Sequence, residues 1–206
     1  MKISVLKNWA AAALFVAAGS VFVSCDKDNG NDNGTDGPTD VDATAVIGDY
    51  TGTMSIPVVA PSEDNGTEEG SQTGTEIKAA KVTATDIEFT DFPIRDLVAA
   101  IVGEGNADAI VNLVGQVDYK IPYTATVNED KAGISLELAP EVLKITAGEG
   151  ENALNVEVTI NAKGTGEYTV ESKNLVFSLT AAEVTVAGDK FDKFEAMDIE
   201  FNLTKK

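Results

Sequence analysis

The sequence predicts a mostly β fold: an antiparallel up-and-down barrel of about eight strands, with one or two short helices inserted. Three long runs alternate strictly between apolar and polar residues, at positions 117–128, 154–162 and 197–204. This alternation places every apolar side chain on one face of a strand. A sheet with one apolar face is usually antiparallel, and it buries that face most simply by closing on itself. A two-sheet β-sandwich is the alternative.

The first strand is predicted around Tyr50, Met54 and Ile56, which share one face of an alternating pattern. A polar insertion at residues 61–74 follows and predicts a long surface loop. In residues 75–89 the apolar positions then shift register twice. We interpret both shifts as bulges within one long, bent strand.

One segment breaks the strand pattern and predicts two short helices. Spacings of i, i+3, i+4 and i+7 are typical of a helix, and they are carried by Ile94, Leu97, Val98 and Ile101. Asp91 or Phe92 is predicted to cap this helix, with Pro93 in its first turn and Gly103 at its end. Residues 107–114 predict a second helix. We expect the helices to plug one barrel mouth or pack along a seam, and a lid over a ligand cavity is the alternative.

Shorter alternating patterns complete the predicted sheet. Residues 134–138 and 143–147 predict two strands separated by Pro140. Residues 168–170 and 175–179 predict a hairpin. Together with the longer runs, these segments give eight or nine strands.

Residues 1–24 have the three parts of a lipoprotein signal peptide. Lys2 and Lys7 give a positive start, and residues 10–23 form an apolar run of about 14 residues, shorter than the roughly 20 that a membrane-spanning helix needs. Small Ser24 then precedes Cys25, an arrangement that resembles the bacterial lipobox. We therefore predict cleavage before Cys25 and attachment of lipid to its thiol.

Cys25 is the only cysteine in the chain, so no intramolecular disulfide can form. Residues 25–44 predict a lipidated cysteine followed by a disordered acidic tether, because they offer no apolar pattern to bury. Residues 45–206 predict a single domain. The tether is similar to the spacer of surface-exposed lipoproteins of gut Gram-negative bacteria. That likeness implies an outer-membrane lipoprotein at the cell surface, and a periplasm-facing anchor is the alternative.

Charge and composition narrow the classes of partner and of chemistry. Removing residues 1–24 takes away two lysines and no acidic residue, so the net charge of −19 becomes −21. Nucleic acid is disfavoured as a partner because its binding depends on cationic contacts to phosphate. The chain has no histidine, and its one thiol is predicted to carry lipid. We therefore predict no catalytic residues, no metal site and no cofactor, with the membrane contacted through the lipid on Cys25.

Three segments, at residues 48–56, 87–103 and 117–127, resemble a family of calycin-like lipoproteins of gut Gram-negative bacteria whose function is unknown. The resemblance implies a barrel shaped like that of lipocalins. Its motifs are structural, so it transfers no catalytic residue to this chain. Ligand binding inherited from the fold alone would be analogy.

We predict a non-catalytic binding module of the cell envelope, stated as the first of two functional hypotheses, with the second as the alternative. In the first, the barrel encloses a cavity for a small apolar or amphipathic ligand, which would be contacted by Tyr50, Leu97, Val98, Ile101, Tyr119 and Tyr123. In the second, the barrel is filled by its own side chains and the protein acts through its loops, such as residues 61–74. Barrels of about eight strands occur in both forms, so the interior distinguishes the two hypotheses.

Overall fold

The computed structural model describes residues 41–56, 74–148, 150 and 153–206. These residues contain eleven β-strand segments, two α-helices and a 3-10 helix, joined by turns. The predicted signal peptide, Cys25, most of the predicted tether and nearly all of the 61–74 insertion lie outside the described residues. In the part of the chain that is described, no helix is long and apolar enough to cross a membrane.

The elements follow one another in chain order. The strands are β1 (Gly48–Ser55), β2 (Thr75–Val82), β3 (Asp86–Phe89), β4 (Tyr119–Val127), β5 (Gly133–Leu138), β6 (Leu143–Ala147), β7 (Leu154–Ala162), β8 (Gly166–Thr169), β9 (Asn174–Val186), β10 (Asp189–Lys190) and β11 (Met197–Lys205). The helices are α1 (Arg95–Val102) and α2 (Glu104–Val114), both between β3 and β4, and the 3-10 helix is Ala43–Val46.

The sheet closes into an eight-stranded antiparallel barrel, which confirms the predicted fold class. Each barrel strand pairs with the next one along the chain, and β11 pairs with both β9 and β1 to complete the ring. Segments β5 and β6 together form one bent barrel strand, and β7 and β8 form the next. The registers show this continuity, because Leu136 lies opposite Gly166 in one half and Leu143 lies opposite Val158 in the other.

The two ends of the barrel carry different structures. At one end, which we call the helix end, β3 leads into α1 and α2 before the chain returns in β4. At the opposite end, which we call the 3-10 end, the 3-10 helix precedes β1 and packs against β4, three strands away. Val46 of this helix is fully buried, so the short helix crosses the mouth of the barrel.

The 3-10 helix begins earlier than the predicted end of the tether. Asp42 caps it by accepting a hydrogen bond from the backbone N–H of Thr44 at 2.7 Å. At the other side of the mouth, the Nζ of Lys205 donates to the carbonyl oxygen of Ala45 at 2.8 Å. The ordered barrel domain therefore takes up residues 42–44, which the sequence assigned to the tether.

Of the two bulges predicted in residues 75–89, the structure contains one. One register shift is a bulge, since β1 and β2 change register between Tyr50 and Gly52. The other is a tight turn that separates β2 from β3, because the hydroxyl of Thr83 accepts hydrogen bonds from the backbone N–H groups of Thr85 and Asp86. This side-chain turn ends β2 and reverses the chain, which the alternation of apolar residues does not reveal.

Both predicted helices are present with shifted starts. Ile94 occupies the N-cap of α1, whereas Asp91 lies in a left-handed conformation with φ of 64° and caps nothing. Gly103, with φ of 82°, ends α1 as predicted, and α2 then begins at once with Glu104. The second helix is therefore three residues longer at its start than the apolar pattern indicated.

Candidate functional site

Five aromatic rings meet inside the barrel near the helix end. They are contributed by Phe89 of β3, Phe92, Tyr119 of β4, Phe177 of β9 and Phe201 of β11. The ring centroids of Phe89 and Phe201 are 5.5 Å apart, although three pairing steps separate β3 from β11 around the barrel. Rings from opposite parts of the wall thus touch across the interior. We call these five rings the aromatic cluster.

Phe92 is the member of the aromatic cluster that does not come from the barrel wall. It lies between β3 and α1, and its backbone N–H donates to the carbonyl oxygen of Val117 at 2.6 Å. Its ring packs edge-on against Phe89 and Tyr119, with centroids at 5.4 and 5.1 Å. These distances are typical of favourable aromatic pairs. The segment that leads into α1 therefore inserts a ring into the barrel mouth.

The hydroxyl groups of three buried tyrosines are bonded to backbone carbonyl oxygens. Tyr50 donates to Val46 at 2.5 Å, Tyr119 to Glu141 at 2.7 Å and Tyr123 to Thr83 at 2.5 Å, with the carbonyl oxygen as acceptor in each case. Each bond joins a barrel strand to a connecting segment. The polar ends of these side chains thus hold the connections to the wall.

Burial raises the pKa of all four tyrosines of the chain above the ordinary value. For Tyr50 the neighbouring hydroxyl groups of Tyr168 and Tyr123 raise the pKa further. For Tyr119 and Tyr123 the second cause is a nearby carboxyl group, that of Glu141 or Asp86. All four phenols are therefore neutral at physiological pH, and those of Tyr50, Tyr119 and Tyr123 act as hydrogen-bond donors.

The six residues predicted to contact a ligand do not come together in one opening. Tyr50 and Tyr123 lie at the 3-10 end, where Tyr50 also packs edge-on against Tyr168 with centroids 6.4 Å apart. The remaining four lie at the helix end: Leu97, Val98, Ile101 and Tyr119. Leu97 and Val98 are buried, and Ile101 is partly buried against the core. Ligand contact by these residues stays a prediction.

Arg95, the only arginine in the chain, joins the two helices. Its guanidinium contacts the carboxylate of Asp108 at 2.8 Å and that of Glu104 at 3.2 Å, both on α2. These acceptors raise the pKa of Arg95, with Asp108 the larger influence. On α1 itself, the carboxylate of Asp96 accepts from the hydroxyl of Thr75 at 3.1 Å, which ties the helix to β2.

Most of the exposed large apolar side chains of the described residues lie on β6, its neighbours or the segment before it. Four large apolar residues of the described chain are well exposed: Leu113 at 65%, Val176 at 44%, Val142 at 43% and Leu154 at 40%. Leu113 belongs to α2, which packs against β6, whereas Val142 directly precedes β6 and Leu154 begins the neighbouring β7. Val176 lies on β9, near its 3-10 end. Three of the four exposed residues thus lie on adjoining elements.

A model of a protein family, described as a domain of unknown function (DUF4840), matches residues 45–186, which is more than half of the chain. The chain belongs to the DUF4840 family. The matched residues run from the 3-10 helix to the end of β9, so they include both helices and all but the closing strand of the barrel. Comparison with curated proteins gave no match, and neither did comparison with solved structures.

The described part of the DUF4840 chain contains no group of three or more acidic, cysteine or histidine residues placed to hold a metal ion. Sequence reasoning missed two features of this domain. It assigned Phe92 to a helix cap, whereas the ring lies within the aromatic cluster. It also placed Leu154 on the inner face of its strand, whereas that side chain is exposed. The one signal in the sequence for the position of Phe92 is that this aromatic residue directly precedes Pro93 and a helix.

Proposed function

We propose that this chain is a non-catalytic, lipid-anchored protein of the bacterial cell envelope whose packed barrel acts through its outer surface. Of the two functional hypotheses, the solid barrel is the one that the geometry favours. The observation that carries it is the contact of Phe201 with Phe89 and Phe92 across the interior. A small ligand would have to displace these rings from their mutual contacts.

The tyrosines give a second argument for a packed interior. Polar groups that orient a ligand in an apolar cavity need a hydrogen-bonding position that the protein itself does not occupy. In this barrel the hydroxyl groups of Tyr50, Tyr119 and Tyr123 already donate to backbone carbonyl oxygens. A ligand that took one of these hydroxyl groups would break its bond to the backbone carbonyl group, which is costly where the bond is buried, as at Val46.

The proposed anchor is the lipid on Cys25, at the start of the mature chain. The described chain enters the barrel at the 3-10 end, through Asp42 and the 3-10 helix. The helix end is therefore the part of the barrel domain farthest from the point where the tether joins it. We propose that this end faces the partners of the protein, at the outer face of the outer membrane.

Lipidation is tested by mass spectrometry of the protein purified from the producing organism. We expect the N-terminal peptide to begin at Cys25 and to carry a diacylglycerol group and an amide-linked acyl chain. The variant Cys25→Ser should lose incorporation of labelled palmitate. Its matched control, Ser24→Ala, keeps a small residue before the cysteine and should retain the label. An unmodified thiol at Cys25 in the purified protein would refute the proposed anchor.

Placement at the cell surface is tested on intact cells with an amine-reactive reagent that cannot cross membranes. Exposed lysines such as Lys144 and Lys163 are available for modification in the barrel. We expect labelling in intact cells to equal labelling after lysis. Labelling that appears only after lysis would place the barrel in the periplasm instead.

A further inference from the structure

The strand β6 is an open edge of the sheet. It pairs with β7 on one side, and within the described residues no strand pairs with its other side. The neighbouring ladder of β4 and β5 continues only as far as the hydrogen bond from the N–H of Ala139 to the carbonyl oxygen of Pro122. Pro140 then interrupts it. Beyond this point the barrel wall has a gap beside β6, where α2 packs.

An open strand edge presents unpaired backbone N–H and C=O groups in the geometry that another strand needs. Proteins use such edges to bind extended peptides, with side-chain pockets on alternate residues giving specificity. Beside β6, the exposed side chains of Leu113, Val142 and Leu154 supply apolar surface. Val142 precedes one end of β6 and Leu154 lies opposite Ala147 at its other end, so exposed apolar side chains flank the edge at both ends, as is seen beside interaction sites.

The charges on the same elements favour a basic partner. Exposed carboxylates lie on α2 at Glu104 and Asp108, which share the single cation of Arg95, before β6 at Glu141, and on β7 at Glu157. The one basic residue of β6, Lys144, pairs with Glu157 at 3.7 Å. The mature chain as a whole carries a net charge of −21. Repulsion of this size disfavours a second copy of the chain at the edge and favours lysine and arginine side chains.

We propose that the edge of β6, flanked by Leu113, Val142 and Leu154, binds an extended segment of a partner protein in which apolar and basic residues alternate. The segment adds a strand to β6 through backbone hydrogen bonds. Its apolar side chains pack on the exposed apolar residues, and its basic side chains face the carboxylates. This inference rests on the proposed action through the outer surface, and it assigns the site and the class of partner.

The open edge also explains the placement of α2. The only fully buried residue of α2 is Ala107, near its start, whereas its later residues are half-buried or exposed. A helix held in this way shields β6 from unspecific pairing between copies, which is the usual hazard of an exposed edge. A strand added to β6 would displace this part of α2, whose Ile110, Val111 and Val114 are only partly buried against the core.

The probe is a short synthetic peptide of alternating valine and lysine, added to the mature chain, with binding followed by fluorescence anisotropy and amide NMR. We expect the amides of β6 to shift and to become protected from hydrogen exchange. Two control peptides test the two parts of the chemistry. One has N-methylated backbone groups along one edge, which prevents strand pairing, and the other has glutamate in place of lysine. Neither should bind.

The protein variants use two equally exposed valines. Val142→Lys introduces a cation beside β6 and should weaken peptide binding about tenfold or more, a loss typical of a residue that carries binding energy. Val176→Lys makes the same change on β9, near the 3-10 end, and should leave the affinity unchanged. Both sites are on the surface, so both variants should fold.

Three results with the peptide would overturn the proposal, and a fourth concerns the protein alone. These are failure of the valine–lysine peptide to bind, equal binding by the N-methylated peptide, or equal weakening by Val142→Lys and Val176→Lys. A dimer that forms without peptide and disappears in Val142→Lys would assign the edge to a second copy and also overturn it. None of these results bears on lipidation of Cys25 or on packing of the interior. Those two parts of the proposed function are tested by their own experiments, so failure of the peptide to bind is distinguishable from failure of the proposed function.

Discussion

Phe177 and Phe201 stack face to face on neighbouring strands, with ring centroids 4.5 Å apart and ring planes within 10° of parallel. The two residues are directly opposite each other in the ladder of β9 and β11. Phe201 also contacts Phe89 and Phe92, so it links the closing strand to the third strand and to the segment before α1. The aromatic cluster thus holds together parts of the barrel that share no backbone hydrogen bonds.

Replacing Phe201 with alanine should destabilise the protein strongly. The change removes a fully buried ring and its contacts with three others, and such truncations usually cost about 3–5 kcal/mol in the free energy of unfolding. Val176→Ala is the control, because Val176 is next to Phe177 in β9 but points outward. It should cost less than about 1 kcal/mol. Urea unfolding compares the two, and equal losses would contradict a packed interior.

The tyrosines should titrate only when the barrel unfolds. Burial raises the pKa of all four, so the folded protein holds phenolic protons that the unfolded chain releases near pH 10. The folded state therefore binds more protons above this pH, and its stability falls as pH rises. Tyrosinate absorbance should stay low at about pH 10 and then rise together with loss of the β-sheet circular dichroism signal.

The control for this titration is the same protein in concentrated denaturant, where ionisation should follow an ordinary tyrosine curve. Tyr168→Phe should remove one phenol from the delayed transition and leave the others delayed. Four tyrosines that ionise normally in the folded protein would contradict the burial described for Tyr50, Tyr119 and Tyr123.

Closure of the barrel should depend on Gly52. A β-carbon at this position would lie 2.8 Å from the Cα of Leu203 and would also meet the carbonyl group of Asn202, both in the backbone of β11. Gly52→Ala should therefore weaken the pairing of β1 with β11 and lower the melting temperature. Gly105→Ala is the matched control, because a β-carbon there meets nothing within 4 Å.

Gly105 lies in α2, where alanine favours the helix more than glycine does. Gly105→Ala should therefore leave the stability unchanged or raise it by at most about 1 kcal/mol. Thermal unfolding followed by circular dichroism compares the two variants. If Gly52→Ala is as stable as Gly105→Ala, the close approach of β1 to β11 is not present in solution.

Loss of Arg95 should loosen α2 without unfolding the barrel. Ala107 is the only fully buried residue of the helix, and its other apolar contacts with the core are partial, so the bonds from Arg95 to Glu104 and Asp108 contribute to holding its position. In Arg95→Gln we expect faster hydrogen exchange of the α2 amides and little change in the urea midpoint. Lys144→Gln breaks the Lys144–Glu157 pair instead and should leave α2 protected. High salt should reduce the difference by screening these exposed charges.

The alternation of apolar residues was enough to find the barrel strands with one buried face. The run beginning at Leu154 gives β7 with its observed bounds, and β4 and β11 start or end within two residues of their predicted runs. Alternation identifies the apolar face of a strand but not where the barrel wall ends. Leu154 follows the pattern and is nevertheless exposed, because it pairs with Ala147 at the outer end of β6.

The interior could not be predicted from the same pattern. Whether rings on distant strands meet depends on their separation across the closed barrel, and no local spacing encodes that distance. Phe92 shows the difficulty, since it belongs to neither a strand nor a helix and still enters the aromatic cluster. Under the two functional hypotheses the tyrosines either contact a ligand or help to fill the barrel, and the sequence does not identify their acceptors, which are carbonyl groups of connecting segments.

Native mass spectrometry of the protein purified from the producing organism tests most directly whether the barrel is solid. The mass should equal that of the mature, lipidated chain, and it should not decrease when the sample is denatured under conditions that keep the lipid attached. A further small apolar molecule, bound in equal amount and released on denaturation, would show that the barrel holds a ligand and would contradict the packed interior.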